Sequence, residues 1–212
     1  MDESISGQAT VACNDEVTDM DFMFGSCSNL VSINLSKFNT SKVTTMWYMF
    51  NGCSKLTLVD LSNFDTSNVT NMNSMFMDCS KLTSLDLSSF DTSNVTDMSR
   101  MFARCTDITS LNVTNFNTSN VTDMSDMFYG CENLTSLDIS NFDTSKVTNM
   151  GGMFALCSKL TTIKGIIDMK SCTDYSYIFT GSTTKLRDVK IKNPPTGFDG
   201  AGLSSSQYTI VS

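Results

Sequence analysis

Residues 82–105 read LTSLDLSSFDTSNVTDMSRMFARC, and this unit returns every 26 residues along most of the 212-residue chain. A period of this length marks stacked supersecondary units, each of which buries its apolar face against its neighbours rather than in one globular core. The sequence therefore predicts a solenoid of about seven units. The cysteine that ends the unit shows the step most clearly, at Cys27, Cys53, Cys79, Cys105, Cys131 and Cys157.

Each unit contains two hydrophobic patterns. Leu85 and Leu87 alternate around Asp86, which is typical of a short strand. The second pattern has the i, i+3, i+6, i+7 and i+10 spacing that is typical of one stripe of a short helix; it comprises Val95, Met98, Met101, Phe102 and Cys105. A polar turn, residues 91–94, separates the two patterns. We therefore expect an α/β fold in which strand, turn and short helix repeat.

A helical crossover after every strand predicts parallel strands with right-handed connections. Parallel strands lie about 4.8 Å apart, whereas packed helices prefer about 8–10 Å, so we expect a curved array with the strands on the concave side. The strands should be centred near Ile33, Val59, Leu85, Leu111, Leu137 and Ile163. The exposed column on the concave side should be Asn34, Asp60, Asp86, Asn112 and Asp138.

The repeat pattern also predicts the domain organisation. The repeats occupy residues 13–193, and Asn193-Pro194-Pro195 should stop strand pairing. Because the last face of a repeat array is apolar, repeat proteins need caps at both ends. We expect residues 1–12 to form an N-terminal cap and residues 194–212 to form a C-terminal cap or tail.

Charge and composition exclude several classes of partner. The formal charge is −8, and the chain lacks the clustered Lys and Arg that hold nucleic acid or anionic membranes. The start of the chain lacks the pattern of a signal peptide. No run approaches the roughly 18 apolar residues of a membrane span, so membrane insertion is not expected.

Catalysis, metals and cofactors are not expected either. The chain has no histidine, which removes the usual general base for a serine or cysteine nucleophile. Identical cysteines on stacked repeats point the same way, at a separation too large for disulfides. We expect a column of buried, reduced thiols that pack as small apolar groups. Cys13 and Cys172 lie outside the column and should also be free.

Two polar columns leave alternatives open. Asp65, Asp91 and Asp143 should cap the turns before the helices, yet stacked carboxylates also suit calcium, which takes six to eight oxygens. Regular threonine files, such as the one that starts at Thr40 and the one that starts at Thr18, keep ice binding as a further alternative. The expected curvature argues against a flat ice-binding face.

Binding should depend on exposed positions that depart from the repeat consensus. One position points away from the apolar stripe; it holds Phe22, Tyr48, Ser74, Arg100, Asp126 and Gly152. Phe22 and Tyr48, with Trp47 beside them, form a predicted contact site because interfaces are enriched in aromatic residues. Alternatively, residues 1–12 fold over Phe22. Arg100 and Arg104 should form surface ion pairs with Asp126 and Asp78.

The motif Phe-Asp-Thr-Ser-Asn-Val-Thr-Asp-Met-Ser-x-Met-Phe-x-x-Cys-x-x-Leu-Thr-Ser-Leu-Asp-Leu-Ser resembles the 26-residue repeat of the BspA-like leucine-rich repeat surface proteins. The resemblance covers about six units, from Val17 to Ile191. It implies a leucine-rich-repeat-type solenoid that is secreted or held at the cell surface and that serves in adhesion without catalysis.

These observations predict a non-catalytic recognition or adhesion module of a bacterial surface protein. Its expected partner is a protein or glycan on a host or neighbouring cell. The alternative is a structural spacer or fibre-like scaffold that has no specific ligand. Exposed aromatic residues clustered on one face would favour recognition, and a uniformly polar surface would favour the spacer.

Overall fold

The computed structural model describes residues 10–12, 16–182 and 185–212. The regular elements in these ranges are short strands, and every pairing between them is parallel, as predicted. The strands are β1 (Thr10–Ala12), β2 (Ser32–Lys37), β3 (Leu58–Val59), β4 (Ser136–Asp138), β5 (Thr162–Lys164), β6 (Ile166–Asp168), β7 (Val189–Lys192) and β8 (Tyr208–Val211).

The strands form three small sheets, ordered β1-β2-β3, β4-β5 and β6-β7-β8. The register follows the repeat, since Ile33 pairs with Val59 and Leu137 pairs with Ile163, in both cases 26 residues apart. At the last sheet β8, which lies beyond the two prolines, pairs in parallel with β7.

Four of the six predicted strand centres lie in strands, and the other two do not. Leu85 and Leu111 are buried, with 8% and 7% of their surface exposed, but no strand is assigned at either residue. Where a strand pair forms, Lys164 donates to Asp138 of the neighbouring repeat at 2.7 Å. Next to Leu85, the carboxylate of Asp86 lies beside that of Asp60 in the preceding repeat. Like charges on adjacent strands weaken their pairing.

The predicted helices are wrong for the described residues, none of which lies in a helix. The segment that follows the polar turn, residues 95–105 in the unit quoted above, is a series of tight turns; we call it the turn segment. In the preceding repeat, Met75 N donates to Met72 O at 3.3 Å, whereas Phe76 N donates to Met101 O of the next repeat at 2.9 Å. Alternate amides therefore bond within the repeat and across to its neighbour.

Left-handed backbone explains why no helix can form there. Ser74 and Asp78 have φ angles of 55° and 60°, and an α-helix of L-residues requires right-handed geometry throughout. Every repeat carries the same pair of left-handed residues, four positions apart. The spacing of the buried residues resembles that of a helix because successive three-residue turns also return a side chain to the core at every third position.

The buried side chains stack in the same columns that the sequence predicts. Phe76 and Phe102 lie parallel with their ring centroids 5.9 Å apart, and Phe50 lies 5.5 Å from Phe76. Parallel bridges also join the start of every turn segment to the next, through Asp19, Thr45, Asn71, Asp97, Asp123, Asn149 and Asp174. The turn side of each repeat therefore hydrogen-bonds laterally as strands do, so the helix spacing that led us to expect an arc is absent.

The cysteine column is mostly as predicted. All seven described cysteines are free; Cys13 lies outside the described residues. Five column members are fully buried, and the Sγ of each donates to a phenylalanine carbonyl, as Cys105 does to Phe76 O at 3.1 Å. Burial raises the pKa of Cys53 and Cys157 to about 12. The prediction is wrong for Cys27, which is exposed because it begins the column.

Candidate recognition surface

Phe22, Trp47 and Tyr48 form one contiguous aromatic cluster on the surface, as the sequence predicts. The Phe22 ring stacks on Tyr48 with centroids 4.7 Å apart and meets Trp47 edge-on at 4.9 Å. Phe22 remains 49% exposed and Trp47 37% exposed. The three rings thus hold one another in place while their outer surfaces face solvent.

Left-handed backbone and side-chain hydrogen bonds position the cluster. Phe22 and Tyr48 have φ angles of 55° and 58°, which is uncommon for bulky residues. Asp21 accepts a hydrogen bond from Trp47 N at 2.7 Å, and Trp47 Nε1 donates to Asn73 Oδ1 at 3.0 Å. Because the backbone of Trp47 is tied to one neighbouring repeat and its indole to the other, the cluster is a preorganised surface that loses little entropy when it binds.

Seven left-handed residues, each five places before a position of the cysteine column, form a file that we call the outward column. It comprises Phe22, Tyr48, Ser74, Arg100, Asp126, Gly152 and Tyr177. The two predicted surface ion pairs, one within this column and one between the left-handed residues four places later, are confirmed. Arg100 Nε lies 3.2 Å from Asp126 Oδ2, and Arg104 lies 3.7 Å from Asp78.

Two members of the outward column differ from expectation. Ser74 is fully buried, and its hydroxyl is the one buried side-chain polar atom without a partner among the described residues. The prediction that this position always faces solvent is therefore wrong. Tyr177, which the sequence reasoning missed, is 72% exposed. The 25-residue step after Gly152 was the signal that places Tyr177 in the column.

The second predicted site, the Asn/Asp column, lies at the surface of the strand side. Each of its side chains accepts a hydrogen bond from the backbone amide two residues later, as Asp86 does from Ser88 N at 2.9 Å. The other members are Asn34, Asp60, Asn112 and Asp138. One oxygen of every member is thus used to hold a turn.

Hydrogen bonds also set the electrostatics of this column. The bond from Lys164, with those from Ser140, lowers the pKa of Asp138 to about 2. Hydrogen bonds from Ser62 and Ser88 lower the pKa of Asp60 and Asp86 respectively. All three carboxylates are therefore anionic at neutral pH.

The polar columns that suggested calcium or ice binding differ in their surroundings. In the described ranges, no group of three or more His, Cys, Asp or Glu side chains is arranged to hold a metal ion. The threonine file that starts at Thr40 is buried, and Thr40 Oγ1 donates to Asp65 O at 2.9 Å. That file bonds to the next repeat and not to surface water, so it cannot serve as an ice-binding face. The file that starts at Thr18 is exposed, with Thr44 Oγ1 donating to Thr18 O at 3.2 Å, and ice binding by that file stays a prediction. Asp91 caps its turn through Ser93 N at 2.9 Å, although no helix follows.

None of the described residues belongs to a helix that has the length and apolar character needed to cross a membrane.

One family of known proteins matches the repeat region of this chain. The family described as "Mycoplasma protein of unknown function, DUF285" matches this chain twice, over residues 13–105 and 81–192. None of the curated proteins matches the chain. The two matched segments overlap and together span almost the whole repeat region, so the chain belongs to the DUF285 family.

Proposed function

We propose that this chain is a non-catalytic recognition or adhesion module of a BspA-like surface protein. Its stacked repeats build a right-handed solenoid, and its outward-facing departures from the consensus bind a protein or glycan on a host or neighbouring cell. The place of action is the cell surface or the extracellular space. Membership of a repeat family and the resemblance of the 26-residue motif to surface repeats support this proposal.

The aromatic cluster carries the proposal. Soluble proteins seldom leave large aromatic rings at the surface in contact with one another, and such clusters anchor protein interfaces. Here Phe22, Trp47 and Tyr48 are preorganised on one face. The next four repeats carry Ser74, Arg100, Asp126 and Gly152 at the position of Phe22 and Tyr48. A spacer would need no such cluster, which favours recognition over the spacer alternative.

The test replaces the cluster and measures binding to cells. The triple variant Phe22→Ser, Trp47→Ser, Tyr48→Ser should lose cell binding by about 30-fold or more, since a single central aromatic contact already contributes about 2 kcal/mol or more. The matched control is Val31→Ser with Leu58→Ser, which removes apolar side chains that are 54% and 63% exposed on the strand side.

Binding is measured with fluorescently labelled protein on intact host or neighbouring cells, alongside the melting temperature of each variant. We expect the control to bind like the wild type and both variants to melt within a few degrees of it. Cell binding by the triple variant at wild-type affinity would contradict the proposal.

A further inference from the structure

A cleft of about 680 Å³ opens on the turn side, several repeats away from the aromatic cluster. The residues that shape it are Tyr129, Gly151, Gly152, Leu156, Asp174 and Tyr177. Its volume lies within the range of small-molecule sites, about 300–1,000 Å³.

The cleft exists because one repeat lacks the side chains that its neighbours carry. The preceding repeat has Ser125, Asp126 and Tyr129 at the positions where this repeat has Gly151, Gly152 and Ala155. Lateral bonds keep the floor in register, since Asp126 N donates to Gly151 O and Gly152 N donates to Ser176 O, both at 2.8 Å. The preceding repeat, which carries Tyr129, and the following repeat, which carries Tyr177, are then about 10 Å apart. This distance leaves room for one flat ring between their side chains.

The walls of the cleft are apolar and exposed. Tyr177 is 72% exposed and Leu156 is 43% exposed, although both are large. On the opposite wall Tyr129 is held by Arg104, whose guanidinium carbon lies 5.9 Å from the ring centroid. An apolar face of a ligand that enters the cleft would therefore contact tyrosine.

The floor presents hydrogen-bond acceptors. A Cβ atom on Gly152 would collide with the carboxylate of Asp126, and a Cβ on Gly151 would lie 3.5 Å from both carboxylate oxygens of Asp174. Arg100 Nε donates to Asp126 Oδ2 at 3.2 Å, which offsets one of the two negative charges. Carboxylates accept strongly from hydroxyl donors.

We propose that this cleft binds one neutral pyranose residue of a glycan. A pyranose has an apolar C–H face that packs on an aromatic ring such as Tyr177, and it has hydroxyls that donate to Asp126 and Asp174. An anionic sugar would be repelled by these carboxylates, and a purely apolar ligand would leave them desolvated without partners. This inference rests on the proposed recognition function and names glycan as one ligand class of the module.

The test measures binding of methyl glycosides of glucose, galactose, mannose and N-acetylglucosamine by saturation-transfer NMR and titration. Tyr177→Ala removes the exposed ring, and Gly151→Leu fills the floor at a position where a Cβ makes ordinary contacts. Each should lower the affinity for the bound glycoside about tenfold or more. Tyr177→Phe, the matched control, keeps the ring and should bind within about twofold of the wild type.

Failure of the wild type to bind any of the four glycosides would overturn the inference, as would unchanged affinity in Gly151→Leu. These outcomes are distinct from failure of the proposed function. Cell binding that depends on the aromatic cluster would persist if the cleft binds nothing, and glycoside binding at the cleft would persist in the triple variant of the cluster.

Discussion

The two sides of each repeat differ in how continuously they join the next repeat. On the strand side, pairing is interrupted: β3 ends at Val59 and β4 begins at Ser136, with no strand assigned in the described residues between them. On the turn side, parallel bridges run without interruption from Asp19 to Asp174. The turn segment therefore holds the repeats together more continuously than the strands do, although the strand pattern is the more familiar signal in the sequence.

Side-chain chemistry accounts for the difference. The turn side stacks phenylalanines and buried thiols behind its ladder, and it sends every second amide across to the next repeat. The strand side places Asp60 next to Asp86, and each uses its carboxylate to hold its own turn. Like charges on neighbouring strands weaken their pairing, whereas Lys164 forms an ion pair with Asp138 where β4 and β5 pair.

The largest expected effect compares one core residue from each side. Phe102→Ala on the turn side should lower the free energy of unfolding by about 3–5 kcal/mol, because the ring is fully buried between two stacked rings. Leu111→Ala on the strand side should cost about 2 kcal/mol, the lower end for such a change, since Leu111 lies outside any strand. Equilibrium unfolding in urea measures both.

The order of the two losses decides this comparison. A loss from Leu111→Ala that equals or exceeds the loss from Phe102→Ala would mean that the strand side carries as much of the stability as the turn side. A change in the denaturant slope of either variant would indicate that part of the array unfolds separately.

Alkaline pH gives an effect that is smaller for any one residue near pH 10. Burial raises the pKa of the column thiols, to about 12 for Cys53 and Cys157, from about 8.5 in an unfolded chain. The folded state keeps these protons while the unfolded state loses them, so their stabilising contribution is complete below about pH 8.5 and is lost as pH rises toward about 12. Each thiol should contribute a fall of about 1.4 kcal/mol per pH unit in that window.

Cys105→Ala tests this linkage. Its unfolding free energy should fall less steeply above pH 9 than that of the wild type, by about 1.4 kcal/mol per pH unit. The control Ile108→Val also removes buried apolar volume but no titrating group, so it should shift the whole curve without changing its slope. Parallel curves for Cys105→Ala and the wild type would show that the thiol is not desolvated.

Much of this could be predicted from the sequence, because burial follows periodicity. The columns of Val, Met, Phe and Cys are buried as predicted beyond the first repeat, where Met23 and Cys27 are exposed. The aromatic cluster lies where the outward position places it. The conformation of the turn segment could not be predicted in the same way. A three-residue turn and a helix bury nearly the same positions, and the left-handed geometry falls on residues such as Arg100 and Asp126 rather than on glycine alone.

The cleft was missed for a different reason. Its floor depends on side chains that Gly151 and Gly152 lack, and its wall depends on Tyr177, which lies after a 25-residue step. A search for large or charged residues at 26-residue steps cannot find a site that is formed by missing side chains and by a residue after a shorter step.

The smallest expected effect concerns Ser74. Its backbone is left-handed, and its hydroxyl is buried without a partner in the described part of the chain. Ser74→Gly should raise the free energy of unfolding by about 1 kcal/mol, because it removes both the strained Cβ and the unpaired hydroxyl. Ser74→Ala removes only the hydroxyl and should gain less. Thermal unfolding of the two variants measures each contribution, and a loss of stability in Ser74→Gly would show that the buried hydroxyl has a partner.

Lateral hydrogen bonding on the turn side can be observed directly by NMR through scalar couplings across hydrogen bonds. The structure predicts a correlation from the amide nitrogen of Phe76 to the carbonyl carbon of Met101 in the next repeat, and likewise from Phe102 to Met127. A correlation from Phe76 to the carbonyl of Met72 instead, four residues earlier, would show that the turn segment is a helix and would contradict the lateral ladder.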